Sequence, residues 1–461
     1  MNADSHAPQP AQTPMSLEQI ASCVSGYDPN ALPVAQAREF IARLVPVVSA
    51  VESVAIRSAL GRVLARDVVS PIDVPAADNS AMDGYALCGS ELASAGTSSL
   101  RVVGKGFAGD AGGGMPVGPG ECVRIMTGAV MPPGLDTVVP QEFVKVEGSA
   151  DGDRIGVPAG VVRSGDNRRL AGEDLACGEI ALRAGRVLRP ADLGLLASLG
   201  QAEVPVFRRL RVAFFSTGNE LRSIGEPLPA GGVYDSNRYT LWGMLQRLGV
   251  VDVLDFGVVP DDPDALRRTF TEAAAAADAV ITSGGVSVGE ADHTKQVMAE
   301  LGDVLFWRIA MRPGRPMAIG RIGTRPGAEG RIGTRPGAEG RIGNAVLFGL
   351  PGNPVAVMVT FYAFVRDALL AMSGAKVEPL PMLRAACTSA IRKKPGRTEY
   401  QRGIVSREAA SGEWRVAITG SQGSGILRSM SEANGLVVLH HEQGSIEAGG
   451  LVDVLPFDGL I

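Results

Sequence analysis

"DAVITSGGVSVGEADHTKQVMAELG" runs from Asp278 to Gly302. A short apolar run enters a loop with three glycines, and a helical pattern leaves it. The P-loop spacing is not met, because Glu290 follows Gly289. Gly284, Gly285 and Gly289 do not fit the dinucleotide fingerprint either. The loop carries Glu290 and Asp292 where a simple phosphate cradle would carry base. A strand, an acidic glycine-rich loop and a helix point to phosphate held together with a metal ion or a proton acceptor.

Outward from this loop the same unit repeats. "RVAFFS" (211–216) precedes the helix "NRYTLWGMLQRLG" (237–249), and "VVDVLDFGVV" (250–259) precedes "DPDALRRTFTEAAAAA" (262–277). "NAVLFG" (344–349) precedes "PVAVMVTFYAFVRDALLAMSG" (354–374). Strands alternating with helices at this spacing predict a parallel, doubly wound α/β sheet over 210–376. Ligands of such sheets sit beyond the carboxyl ends of the strands. Those ends are 216–220, 260–262, 283–292 and 350–354, four loops on one rim.

An Asp at a helix start is ordinarily a cap, which accounts for Asp292, Asp261 or Asp262 taken singly. Glu220 alone could compensate a helix dipole. Together they place Glu220, Asp261 or Asp262, and Asp292 on one rim, where carboxylates repel unless a cation or proton lies among them. Oxygen donors without Cys or His suit Mg²⁺. "WRIAMRPGRPMAIG" adds Arg308, Arg312 and Arg315, guanidiniums on a stiff backbone suited to oxyanions. "LPGNP" (350–354) offers backbone N–H groups of Pro351–Asn353 loop and helix start to an anion. Acids for a metal beside arginines for phosphate are the layout of a phosphoryl- or nucleotidyl-handling site.

The rest of the chain is different in character. At 461 residues it should hold about three domains, at roughly 150 residues each. Helical spacing appears at 16–26, capped by Ser16, at 33–45, and in "RPADLGLLASLG" (189–200). Short β-rich runs alternate with Gly/Pro clusters from about 68 to 176 and again from 375 to 461, predicting two β domains. Residues 1–15 read as a disordered tail without the basic start and apolar run of a signal peptide. The net charge of −5 argues against a general nucleic-acid binder. Five scattered cysteines argue against a disulfide framework or a zinc site and fit a reducing cytoplasm. The uncharged run 344–365 is broken by "LPGNP", so a strand, turn and helix explain it better than a membrane span.

"PIDVPAADNSAMDGYAL" (71–87), "RIMTGAVMPPG" (124–134), "RSGDNRRLAGED" (163–174), "STGNEL" (216–221), "YDSNR" (234–238), "PDDPDALR" (260–267), "SGGVSVGEADHTK" (283–295), "MRPGRPMAIG" (311–320) and "GLPGNPVAVMVTF" (349–361) occur in this order. This set resembles the MoeA family, the molybdopterin molybdenumtransferases that include the E domain of gephyrin, over roughly residues 17–457. The resemblance implies a multidomain α/β plus β fold. An elongated segmented domain (16–69 and 179–209) joins a β domain (70–178), a doubly wound molybdopterin-binding domain (210–376) and a C-terminal β domain (377–461).

The implied reaction is insertion of molybdate into adenylylated molybdopterin, with Mg²⁺, to give molybdenum cofactor and AMP. The implied catalytic acids are Asp83, Asp174, Glu220, Asp261 and Asp292, the last three also as metal ligands. Thr127, Ser216, Thr217, Gly218, Ser283, Gly284, Gly285, Ser287 and Gly289 would bind the cofactor, with Arg308, Arg312, Arg315, Pro351, Gly352 and Asn353. The family's basic motif often reads Lys-Pro-Gly-Lys-Pro, so Arg312 and Arg315 replace point charges with forks. A homodimer with a composite site is implied. The implied partners are molybdopterin adenylyltransferase and apo-molybdoenzymes or their chaperones. The alternatives are the adenylyltransferase itself, a gephyrin-type scaffold and a plain nucleotide-binding module.

"RIGTRPGAEG" at 321–330 recurs without change at 331–340. Two copies do not build a solenoid, and the composition predicts an expanded surface hairpin loop (321–343). Loop length costs little in such a place. Deleting Arg331–Gly340 is therefore expected to leave the melting temperature and turnover nearly unchanged, and a large fall in either would contradict the loop assignment.

Overall fold

The computed structural model describes residues 15–110, 116–149, 152–286, 293–323 and 345–457. Ser287, Gly289, Asp292, residues 1–14 of the tail and nearly all of the tandem repeat lie outside them. The chain divides into two compact units, one formed by 1–52, 61–65 and 205–461, the other by 53–60 and 66–204.

The first unit contains a six-stranded sheet. Its order is Val251–Val259, Leu210–Thr217, Ala279–Ser283, Ala345–Leu350, Pro316–Ile322, Gly302–Arg308. The first four strands are parallel, as the alternating strand–helix pattern predicts. The last two are antiparallel, so the sheet is mixed rather than all-parallel. The reason is the short turn 309–315, since a tight connection reverses a chain and a parallel return needs a crossover of a dozen or more residues.

The helices Pro263–Ala276 and His293–Leu301 pack one face of this sheet. Leu266, Phe270, Val297 and Met298 bury there against Ala213, Phe215, Val280 and Leu347. The Phe215 and Phe270 rings meet edge to face at 5.0 Å. The helices Ser236–Leu248 and Pro354–Thr360 pack together, and strand alternation assigns residues 212, 214 and 216 to the face opposite 213 and 215. Below the sheet the Asp278 carboxylate takes both arms of Arg208, at 2.7 and 2.8 Å, and the Arg211 N–H at 2.9 Å.

Leu17–Cys23 and Val34–Leu44 also belong to this unit, so the residues expected to form one segmented domain are divided between the two units. Ser16 caps the first of these helices with a reciprocal bond to Gln19. Phe40 packs edge-on against Trp307, whose indole N–H donates to the Tyr27 hydroxyl at 2.8 Å. The segment Pro354–Met372 is apolar and long enough to cross a membrane, but 78% of its most apolar window is buried within the fold. The strands Thr398–Arg407, Trp414–Ile418, Leu383–Cys387, Leu451–Pro456 and Gly435–Leu439 close on themselves as a small barrel. Met311–Arg312 adds a parallel edge to it beside Thr398–Glu399.

The second unit is built on another six-stranded sheet, Thr137–Pro140, Gly84–Leu87, Glu121–Ile125, Thr97–Gly106, Gly152–Pro158, Lys145–Ser149. Tyr85, Leu87 and Cys122 bury on one face, and Ala86, Val123 and Ile125 on the other. All five cysteines are free, and burial pushes the Cys122 thiol up to about 12.

Phe270 is fully buried. Phe270→Ala should cost about 3–5 kcal/mol through lost burial and a residual cavity. A urea unfolding curve indistinguishable from wild type would show that this face does not hold the unit together.

Candidate functional site

The strand Leu210–Thr217 lies between Val251–Val259, the next strand of this sheet in sequence, and Ala279–Ser283, to which the chain then returns. This is a topological switch point, and the loops after Thr217 and Ser283 diverge there to leave a crevice. Gly284 has φ +97°, and a Cβ on it would stand 2.6 Å from the Thr217 carbonyl oxygen. Only glycine lets the two loops approach this closely. A cavity of about 620 Å³ opens at this point.

The rim loops expected to converge do so. Thr217 and Gly218, Ser283 to Gly285, and Pro351 to Asn353 all line the cavity. Ser216 lies beneath them, 1% exposed, and does not line it. Glu220 and Asp261 line the same cavity. The adjacent Asp262 caps Pro263–Ala276 by accepting the Ala265 N–H at 2.8 Å, so capping falls to one Asp of the pair and the cavity to the other. Asn219 Oδ1 accepts the Asp261 N–H at 3.1 Å and ties the two acidic loops together. Gly218 has φ +154°, and a Cβ on it would meet the Glu220 carboxylate oxygens at 2.7 and 2.8 Å. Glycine therefore lets the carboxylate fold back over the strand end.

Arg312 and Arg315 also line the cavity, with Pro313 and Gly314 between them. Arg308 is exposed and does not line the cavity. Three contributions escaped the sequence reading. Asn237 lies on the helix Ser236–Leu248 and donates to Ser283 Oγ at 2.7 Å and to the Gly352 carbonyl at 2.6 Å. Ala356 comes from the helix after "LPGNP". Gln422 to Ser424 come from the C-terminal barrel and form a lip, bonded to the helix start through Val355 N–H and the Ser424 carbonyl at 3.1 Å. Their sequence signal was the Gly/Ser-rich "GSQGSG" (420–425), which reads equally well as a turn. Behind the lip, Arg402 is fully buried and donates to the carbonyls of Ser421, Gln422 and Gly423.

A cavity lined by two acidic residues and two arginines suits a ligand that is anionic and metal-bound. No group of three or more His, Cys, Asp or Glu is spaced to hold a metal ion among the described residues. Glu220 and Asp261 nonetheless fit Mg²⁺, which takes one or two carboxylates together with substrate phosphates and water. The buried oxygens Ser216 Oγ, Thr217 Oγ1 and Asn237 Oδ1 have no hydrogen-bond partner among the described residues. Such groups cluster where a ligand completes a network.

A second polar cluster occupies the other unit. Arg168–Arg169 pairs with Asn79–Ser80, and Val74 with Leu175, bringing the loops 71–87 and 163–178 together. Thr127 donates both its backbone N–H and its hydroxyl to Asp83 Oδ1, each at 2.7 Å. The Thr127 N–H and then its hydroxyl hold the Asp83 carboxyl below its ordinary range, helped by Arg124. Asp83 is thus fixed as an acceptor. Asp174 is exposed on the neighbouring loop, its N–H bonded to the Val74 carbonyl at 3.1 Å.

Residues 32–200 match the MoeA N-terminal region (domain I and II), 213–371 a probable molybdopterin binding domain, and 384–457 the MoeA C-terminal region (domain IV). The chain is 39% identical over 430 residues to a Haemophilus influenzae protein named molybdopterin molybdenumtransferase, covering 92% of this chain and 98% of that one. It is 34% identical to Dictyostelium discoideum gephyrin, covering 88% of this chain and 59% of gephyrin. The crystal structure of the molybdopterin biosynthesis MoeA protein from Pyrococcus horikoshii OT3 superposes with a TM-score of 0.75 at 28% identity, covering 92% of this chain and 99% of that one. From its second helix to the last strand of its C-terminal barrel, this chain belongs to the MoeA family of molybdopterin molybdenumtransferases.

Proposed function

We propose that this enzyme inserts molybdate into adenylylated molybdopterin and releases molybdenum cofactor and AMP. One observation carries the reading. Glu220 and Asp261 share a single cavity with Arg312 and Arg315, at the switch point of the region that matches a molybdopterin binding domain. The substrates are an oxyanion and a phosphoanhydride. The arginines would engage their oxygens through paired N–H forks. Gly284, Gly285 and Gly352 keep backbone close to the ligand without a side chain between them. Mg²⁺, held by Glu220 and Asp261 with Asp292 as a third candidate ligand, would neutralise charge developing on the anhydride. Cleavage breaks the P–O–P bond, water supplies one oxygen, and AMP leaves. The acidic rim would orient that water.

Asp83 and Asp174 belong to the other compact unit. The family resemblance supports a homodimer in which they complete the site of the partner subunit, since most homo-oligomers have a twofold axis. The same resemblance supports a cytoplasmic enzyme, receiving substrate from a molybdopterin adenylyltransferase and passing cofactor to apo-molybdoenzymes or their chaperones. A gephyrin-type scaffold is the second reading, favoured by the identity to gephyrin.

Incubated with adenylylated molybdopterin, Mg²⁺ and molybdate, the protein should release AMP, and release should fall when molybdate or Mg²⁺ is withheld. AMP at blank level would sink the reading, and adenylylation of molybdopterin from ATP would move the enzyme one step earlier. The composite site has its own test. Asp83→Asn and Glu220→Gln homodimers should each be inactive. Co-refolded at random, half the dimers are hybrids with one intact and one doubly damaged site, so activity should return to roughly a quarter of wild type. Hybrids confirmed by mass but inactive would place each site within one chain.

A further inference from the structure

Asn237 is the second residue of the helix Ser236–Leu248. Capping there belongs to Asp235, whose carboxylate accepts the Arg238 N–H at 3.2 Å. Asparagine contributes little to a helix at such a position, so its side chain is what the position uses. The residue is 8% exposed. The Gly352 carbonyl can only accept, so the Asn237 atom 2.6 Å from it must be the amide nitrogen. The same nitrogen lies 2.7 Å from Ser283 Oγ. Both amide hydrogens are thereby donated, one to each of two loops whose parent strands pair with Ser283 opposite Leu350.

The consequence falls on Ser283, which lines the cavity. A hydroxyl has one hydrogen to give and lone pairs to receive. Accepting from Asn237 leaves that hydrogen unengaged, and among the described residues no acceptor takes it. Asn237 Oδ1, buried and without a partner there, adds an independent sign that this network is completed by something other than the described residues. Ser216 Oγ, in register with Ser283 on the adjacent strand, is in the same condition.

We propose that Asn237 is a positioning residue: by donating to Ser283 Oγ and the Gly352 carbonyl, it commits the Ser283 hydroxyl to donate to an acceptor oxygen of the bound ligand, a phosphate oxygen of the pterin substrate. Gly352 holds the amide in the orientation that makes this obligatory. The inference rests on the cavity's being the site for adenylylated molybdopterin.

Asn237→Asp keeps the shape and inverts the polarity. Its carboxylate would repel the Gly352 carbonyl and draw the Ser283 hydrogen toward itself. We expect KM for adenylylated molybdopterin to rise about tenfold, the equivalent of one hydrogen bond, with kcat changed much less. Ser283→Ala should give a similar rise, and the two changes combined should give no more than either alone. If Asn237→Asp does not fold, Asn237→Ala, which frees the hydroxyl to turn, should raise KM in the presence of Ser283 and not in a Ser283→Ala background. A purely structural asparagine would lower the melting temperature and the active fraction and leave KM unchanged; an unchanged KM, or a rise in KM that adds to that of Ser283→Ala, overturns the proposal. Calorimetric titration with inorganic pyrophosphate separates this from the reading of the reaction. Wild type that binds pyrophosphate but releases no AMP defeats the proposed reaction, and the same variants measured on pyrophosphate still decide the role of Asn237.

Discussion

The parallel pairing of Leu210–Thr217 with Ala279–Ser283, in the register that sets Ser216 beside Ser283, is the constraint on which the site depends. A side-chain period of two means that a slip of either strand by one residue would turn its serine, Ser216 or Ser283, to the opposite face. It would also carry that strand's Phe215 or Val280 out of the core they share with Phe270. Burial on that face therefore fixes the position of two hydroxyls on the other. The same register brings the Thr217 carbonyl against Gly284. Packing energy far from any ligand sets the geometry at which a ligand can be met.

The charges are distributed by which element carries them. Acids come from loops that follow parallel strands, Glu220 after one and Asp261 after another. The cations come from the turn that reverses the chain, and Arg312 is anchored to the C-terminal barrel by its pairing with Glu399. Arg402, behind the lip, is fully buried, with carbonyls and the Ser429 hydroxyl as its hydrogen-bond partners. Burying a guanidinium is costly unless its donors are satisfied. The successive carbonyls of Ser421, Gln422 and Gly423 do that, so shifting the lip would strand a buried charge, and Gln422 to Ser424 are held where they line the cavity.

Much of this was legible because it is written in periodicity and turn chemistry. Alternating strands and helices locate the sheet, and the rule that ligands sit beyond the carboxyl ends of parallel strands locates Thr217, Gly284 and the "LPGNP" loop. The antiparallel pair Gly302–Arg308 and Pro316–Ile322 was not legible as such, because the arginines of "RPGRP" drew the reading toward charge rather than toward a reversal. Arg308 was grouped with Arg312 and Arg315 by proximity in sequence, but it ends a strand on the near side of that reversal, and the other two lie within it. Asp262 and Asp261 could not be told apart from sequence, since both precede Pro263 and only the backbone path decides which one caps. Asn237 and the Gln422–Ser424 lip were invisible for a different reason. Their roles arise from contacts across 46, 115 and 69 residues of sequence, and no local pattern encodes those distances.

The tandem repeat shows how the same sheet isolates the site from change. The strands on its two sides are antiparallel neighbours, with Ile322 opposite Ala345. Ala345 begins the strand that ends at Leu350, directly before the cavity loop. At about 3.4 Å per residue those two ends lie roughly 17 Å apart. Between them every residue from Ala345 to Leu350 is buried, and the strand is bonded on both sides, to Ala279–Ser283 and to Pro316–Ile322. An insertion between Ile322 and Ala345 therefore meets a rigid strand before it meets the site. Each end of the strand answers to a different requirement: Leu350 must present the Gly352 carbonyl to Asn237, and Ala345 must only rejoin its neighbour. A sequence can expand at the second end because the first is fixed by the register of the whole sheet.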